Sequence, residues 1–503
     1  MTQPGVFTQY SDVTQLITTG GFPNWVPDYE KDRIAAYQAY EEMYWSHNGT
    51  FDAITRGTDD EPVYVPTARI VVNTLARYSG KGLKVLANPL YGSPNEQAAI
   101  QLVLDPFLAR EAFIPRFAGS KKMALIQGDS VWHVIGNPNK LPGTRVSIKK
   151  VDPAAYFPVP DEFLEDGIYR RVHLAEQWVD PEDDTKIFVE RQTYTQAMNP
   201  DGSPGGITSE TAIFETEGWA GTGSEPPKLV QQLLPPTPLD ARITTIPVYH
   251  FKNSLLDDAP FGNSAVRGLS RLMASINQST TDEDLALALE GLGVYTTESG
   301  GPVDENGDEV DWWISPGRVL ENVRNFRRVE GVKSVQPFGD HIDRLTRFMF
   351  LSANVTEAAI GDIDPQAAES GIARLLKLAP TVEEAREINE AWKAGLTQLF
   401  HDLNFWFQVF EGTGWGVAEP MITFADPAPV DRAAAVTEIA TLVSNDPPLM
   451  SQQTAVERLA ELGVNLAPDE LARLTSEAAT RAAVTDPFAS RLAQEGGGGP
   501  TDG

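Results

Sequence analysis

Asp362, Asp364 and Glu369 fall together in the segment GDIDPQAAES, and carboxylates at that spacing could serve paired general acid and base work. The segment carries a proline and no donor to orient either group, so it equally reads as a solvated loop. The six histidines, His47, His133, His173, His250, His341 and His401, show neither HxH nor HxxxH spacing, and a zinc site would have to be assembled from distant segments. SGKG at 79–82 lacks the upstream glycine and the hydroxyl residue after the lysine that a phosphate-cradling loop needs. GTGWG at 412–416 follows a helical pattern rather than a strand and reads as a turn. DENGDE at 304–309 places Glu309 where the sharp turn of a calcium loop needs glycine, which favours a hairpin tip. Ser147 and Lys150 match SxxK but sit in an alternating strand pattern. Nothing here forms a catalytic constellation, and no cofactor is expected.

The balance of the whole chain restricts the classes further. In 503 residues, 70 Asp and Glu outweigh 40 Lys and Arg, for a formal net charge of −30. Affinity for nucleic acid comes mainly from cations that neutralise phosphates, so a general DNA binder is not expected, although a protein that lets DNA pass without holding it is compatible. With no cysteine there is no disulfide framework and no thiolate chemistry. The first residues lack a basic start and apolar core, and no apolar run reaches membrane-spanning length, so a soluble, unexported protein is expected.

The elements that must position these residues follow from periodicity. Pro27 opens an amphipathic helix with Ile34, Tyr37, Tyr40 and Tyr44 on one stripe. Pro66 opens a second helix that stops at Gly80, and 95–107 and 114–126 read as two more. From Asp129 the period changes to two, in SVWHVIG, TRVSIKKV, GIYRRVHLAEQWV and KIFVERQTY, which predicts an antiparallel sheet to which IPVYHF at 246–251 returns. The Gly-, Pro- and Thr-rich stretch 199–240 reads as long loops around one short strand, TAIFET. A helix over 264–290, a β-rich insert over 294–338, a helix over 340–360 and an acidic loop come next. A long helix over 381–411 then carries the apolar seam Ala385, Ile388, Trp392, Leu396, Leu399, Leu403, Trp406 and Phe410. Thr381 and Glu384 have capping-box spacing at its start. After the strand PMITF the chain becomes Ala- and Glu-rich, in short helices that end in a Gly-rich tail. The fold class is α+β and rich in helix.

The β-rich insert is divided by charge. Residues 298–311 carry six acidic groups and no basic one, whereas 318–333 carry Arg318, Arg324, Arg327, Arg328 and Lys333 against Glu321 and Glu330. The two halves either pair within one hairpin or meet between neighbouring subunits of a ring, a heterologous contact that can close.

This order of parts resembles the portal, or head-to-tail connector, proteins of tailed double-stranded DNA bacteriophages. The likeness extends over nearly the whole chain and is carried by YEEMYWSHNGTF at 41–51 and its flank, YVPTARIVVNTLARY at 64–78, GDSVWHVIGNP at 128–138, VDPAAYFPVPD at 151–161 and AAESGIARLLKLAP at 367–380. None of these is a catalytic signature. The resemblance implies a non-enzymatic virion protein that forms a ring, typically of twelve subunits, at one capsid vertex, where DNA is packaged and ejected. It implies a wing over 1–262 and 380–425, stem helices over 263–291 and 339–360, and a clip over 292–338. A tunnel loop opens the span 361–379, a crown covers 426–495 and a tail 496–503.

Implied partners are the terminase large subunit docked on the clip, head-completion or adaptor proteins that replace it, the major capsid and scaffold proteins, and double-stranded DNA in the channel; no membrane is involved. Channel candidates are Asp362, Asp364, Gln366 and Glu369 in the loop and Arg267, Arg271, Arg344 and Arg347 on the stem. Candidates for subunit contact or motor docking are Asp304, Glu305, Asp308, Glu309, Arg318, Arg324, Arg327, Arg328 and Lys333. An acidic channel would keep a polyanion from sticking as it moves. The stem arginines could touch phosphate or pair with Asp282, Glu283 or Asp343 of a neighbour. Two other readings stay open: a different virion structural protein, such as a capsid or tail subunit, and a monomeric hydrolase acting through Asp362 and Asp364.

Overall fold

The computed structural model describes the chain from residue 26 to residue 476, apart from 47–48, 50, 55–60, 89, 91, 160–168, 184–185, 200, 202, 218–226, 255–259, 293, 297, 299–324, 326, 330–334, 362–370, 417–419, 430–431, 445–447, 462–463, 465–469 and 471. It is a mixed helix and sheet protein, in two compact units: 1–369 with 373–427, and 370–372 with 428–503.

The first unit begins with four helices, α1 (Asp28–Trp45), α2 (Thr67–Tyr78), α3 (Pro94–Arg110) and α4 (Phe113–Gln127). Tyr37, Tyr40 and Tyr44 of α1 are buried, so the aromatic stripe is core. Ser93 and Glu96 form a reciprocal capping box at the start of α3, a signal present in the sequence as SPNE and overlooked there. Strand β1 (Lys84–Leu86) lies between α2 and α3.

The predicted single sheet is two sheets. β2 (Asp129–Gly136) is flanked by β3 (Val146–Val151) and β9 (Val248–Lys252). The other sheet runs in the order β4 (Tyr156–Pro158), β5 (Arg171–Val179), β6 (Lys186–Met198), β7 (Pro204–Glu217), β8 (Lys228–Pro238), all antiparallel. β7 and β8 correct the expectation of loops over 199–240. Pro235, Pro236 and Pro238 read as strand breakers, but β8 is the sheet edge, where a residue with no N–H to give is tolerated.

The later helices also depart from expectation. α5 (Ser270–Leu292) starts after a turn at 265–268, and β10 (Val294–Thr296) pairs antiparallel with β11 (Arg327–Val329). The helix expected over 340–360 is α6 (Gln336–Ser352) and the short α7 (Glu357–Ile360). Asn354 between them takes a left-handed φ of 53°, which an α-helix cannot continue through. α8 (Gly371–Phe410) starts ten residues before the predicted helix and runs through Pro380. Thr381 is therefore not a cap. Its buried hydroxyl instead donates to Asn354 O (2.9 Å) and accepts from Thr356 N (3.0 Å), while Glu384 accepts from the Asn354 amide (2.9 Å). β12 (Met421–Thr423) pairs with β1.

α8 is the axis of the core. Its seam residues from Ala385 to Leu403 have no exposed surface, and Trp392 stacks on Phe251 of β9 at 4.6 Å and meets Phe117 of α4 edge-on at 5.2 Å. Both arrangements suit the ring quadrupole, so the contacts add to area burial. The second unit holds α9 (Arg432–Ser444) and α10 (Gln452–Glu461), which pack on each other with Ile439 and Ala455 buried.

Candidate functional site

The structure brings three of the candidate residues, Arg271, Arg344 and Arg347, onto one antiparallel helical pair, α5 and α6, whose far end carries the β10–β11 pair, with Arg267 in the turn that leads into α5. Met273 and Ile276 of α5 and Met349 and Phe350 of α6 are buried in the main core, which fixes one end of the pair. Gly339 sits abreast of Glu283, since a side-chain carbon added to Gly339 would lie 3.8 Å from Glu283 Oε1.

The base of α5 is fastened to the core through a buried carboxylate. Asp129, at the start of β2, has no exposed surface and accepts from the Tyr37 hydroxyl of α1, from His250 Nε2 of β9 (2.6 Å) and from Gly262 N (2.7 Å). Burial alone would raise its carboxyl. The His250 imidazole, the Tyr37 hydroxyl and the Gly262 amide outweigh burial and hold it below the ordinary value. Gly128 and Gly262 pass backbone to backbone here, and a side chain on Gly128 would meet Gly262 O at 2.7 Å. Ser264 then donates to Ile126 O at 2.5 Å. The chain thus enters α5 from a position held by α1, α4, β2 and β9.

Farther along, α5 holds a neighbouring segment by its backbone. Asn277 donates to Phe51 O (2.7 Å) and accepts from Val65 N (3.0 Å), Gln278 bonds both N (2.9 Å) and O (3.2 Å) of Ile54, and Thr281 accepts from Val63 N (2.9 Å). Polar residues one turn apart on one helix thus satisfy backbone that no strand pairs. The sequence signal for this role is the spacing: Asn277 falls one turn after Met273 and next to Ile276, on the apolar stripe of α5 that the structure buries.

Arg267 lies in the turn before α5 and donates to Asn263 Oδ1 at 2.5 Å. Arg271 is exposed in the first turn of α5. On α6, exposed Arg344 donates to His341 Nδ1 (2.9 Å), and Arg347, 68% exposed, stands 3.8 Å from Glu357 of α7. At this range and exposure the Arg347 pair is worth little. Phe348 and Leu351 lie exposed on the same helix. Arg327 and Arg328 lie on β11, where they pair with Thr296 and Tyr295. Asp304, Glu305, Asp308, Glu309, Arg318, Arg324 and Lys333, and with them the segments DENGDE and DWWISPGRVL, lie outside the described residues. So do Asp362, Asp364, Gln366 and Glu369.

A cleft of about 570 Å³ opens where the loop before α5, the α6–α7 turn and α8 meet; Arg267, Asn263, Asn354 and Glu384 line it. The other motifs fall on structure. Ser147 and Lys150 of β3 are three apart on a strand and therefore point to opposite faces. In SGKG, Gly80 has a φ of 71° and donates to Asn389 of α8 at 2.7 Å, a turn that ties α2 to the core helix. In GTGWG, Asn404 of α8 holds Trp415 N (2.8 Å) and Gly416 O (2.5 Å). His133 bonds the Tyr194 hydroxyl at 2.8 Å and His173 bonds Thr193 at 2.8 Å. Burial, aided at His133 by Lys149 and at His173 by Arg191 and Arg171, pushes both imidazoles down to about 4, so both are neutral at pH 7. Among the described residues no group of three or more His, Cys, Asp or Glu could hold a metal ion, and no helix is long and apolar enough to cross a membrane.

No protein-family model and no curated protein matches this chain.

Proposed function

We propose that this chain is the portal subunit of a tailed double-stranded DNA phage: a ring-forming conduit at one capsid vertex, non-enzymatic itself, that passes DNA and docks first a packaging motor and then head-completion proteins. The observation that carries the reading is the antiparallel α5–α6 pair, anchored in the core at one end and bearing the β10–β11 pair at the other, beside a 40-residue helix that forms the core axis. Such a pair can line a passage when copies stand side by side, and a head-to-tail arrangement of identical subunits closes into a ring. The formal charge of −30 per chain suits a passage that must not hold a polyanion.

The mass of the purified full chain in solution, with negative-stain images of the same fraction, tests the reading. A particle many times the 54.9 kDa chain with a central hole is expected. A monomer at all concentrations, also in the presence of capsid and scaffold proteins, overturns it.

A further inference from the structure

Side chains close the outer edges of β3 and β4, whereas the outer edge of β8 is open. At β3, Arg110 and Arg116 donate to Val146 O and Ile148 O, and Glu111 accepts from Ile148 N at 3.1 Å. At β4, Arg33 donates to Tyr156 O at 2.9 Å. All eleven residues of β8 are exposed, and among the described residues only β7 and β8 itself bond its backbone. Every second residue of such a strand turns its N–H and C=O outward, which makes the edge a template for another strand. Pro235, Pro236 and Pro238 have no N–H to give, so the stretch able to pair is 228–234, KLVQQLL. Leu229, Val230, Leu233 and Leu234 are exposed there, and Lys228 at its end is the one charge.

Residues 1–25 lie outside the described residues, and the place where they end bears on what covers this edge. Val26 is buried in a cluster with Ala175 of β5 and Val189 of β6, and the row of Val189 crosses the sheet through Phe214 to Leu229. A strand outside β8 would lie three strand spacings from β6, about 14 Å, and residues 20–25 reach about 20 Å when extended. Residues 13–19, VTQLITT, carry no charge, are β-branched at five of seven positions, and stand between Ser-Asp and Gly-Gly turn signals. We propose that residues 13–19 of the same chain pair with the edge of β8 at 228–234 as a sixth strand. Recognition is backbone to backbone, and an uncharged occupant suits an edge whose one charge stands at its end. Closing the edge keeps it from templating another copy. The pairing belongs to the single chain and does not depend on the ring reading.

Hydrogen exchange of the full chain at pH 7, read by mass spectrometry on peptides covering 228–234, tests the pairing against two variants. One lacks residues 1–21. The other carries Thr14→Pro with Ile17→Pro in the full chain, at positions of opposite parity, so that one of the two lost N–H groups faces β8 whichever way the strand is set. The expected result is exchange at 228–234 roughly tenfold or more faster in both variants, with peptides of β5 and β6 unchanged. Rates at 228–234 that match the parent in either variant overturn the inference. A crosslink tests the same contact in a chain whose strand is intact. The chain has no cysteine, so Gln15→Cys with Gln231→Cys supplies its only two thiols, which a short bismaleimide can join. A product within one chain is expected; a product only between chains, or none at all, overturns the assignment to the same chain.

Discussion

Asp129 is the residue on which most separate pieces of the fold converge, since its carboxylate takes donors from α1, β9 and the loop entering α5. Asp129→Asn replaces an acceptor-only group by one that carries its own N–H donors, and breaking a buried charged network of this type costs about 3–5 kcal/mol. Chemical denaturation at pH 7 measures that loss. The acid limb of stability is set by different residues. His133 and His173 have folded values of about 4, below the unfolded value of roughly 6.5, so the unfolded chain binds more protons between these two pH values. Stability is full above about pH 6.5 and falls as pH drops toward 4, by up to roughly 3 kcal/mol for the buried His133. His133→Gln should flatten that limb in a pH series of denaturation midpoints; an unchanged slope refutes the assignment. Asp129 adds its own loss only at lower pH, because its folded value is below the ordinary carboxylate range.

Among the elements, α8 does the most to hold the first unit together, and α5–α6 is what that unit presents. Trp392 has no exposed surface and touches aromatic rings from α4, β2 and β9. Trp392→Ala should cost about 3–5 kcal/mol in unfolding free energy. Thr381→Val tests the tie between the α6–α7 turn and α8. It keeps the shape but leaves Thr356 N and Asn354 O without their hydroxyl partner, for a loss of about 1–3 kcal/mol. The long α8 was legible in the sequence from its apolar seam, but its first ten residues were not. Pro380 and a capping-box spacing imitate a helix start, and only the neighbouring turn that occupies the Thr381 hydroxyl shows that the backbone is already helical there. The opposite error occurred at β8, whose prolines are excluded from a central strand but not from an edge.

At the scale of the whole molecule the prediction concerns assembly. Deleting residues 303–311, nine residues of which five are acidic, Asp304, Glu305, Asp308, Glu309 and Asp311, is expected to impair ring closure or motor docking while the first unit stays folded. Sizing and circular dichroism on the same sample check it, and rings and packaging that are both unchanged would exclude this segment from either role. The net charge of −30 bears on the same scale: like-charged copies repel over a Debye length, so assembly should strengthen as salt rises. Sizing across a salt series reads this directly.

Periodicity and composition by themselves determined the helices with strong stripes, the strands of alternating pattern, the absence of thiol chemistry and the acidic balance, because each is a property of neighbours along the chain. The tertiary structure alone decided that the strands divide between two sheets and that α5 uses Asn277, Gln278 and Thr281 to hold another segment's backbone. It likewise decided that Asp129, Tyr37 and His250 share one buried site. The reason is physical. A side chain's partner, its burial and its height along a packed helix depend on residues tens to hundreds of positions away, and no local period encodes them.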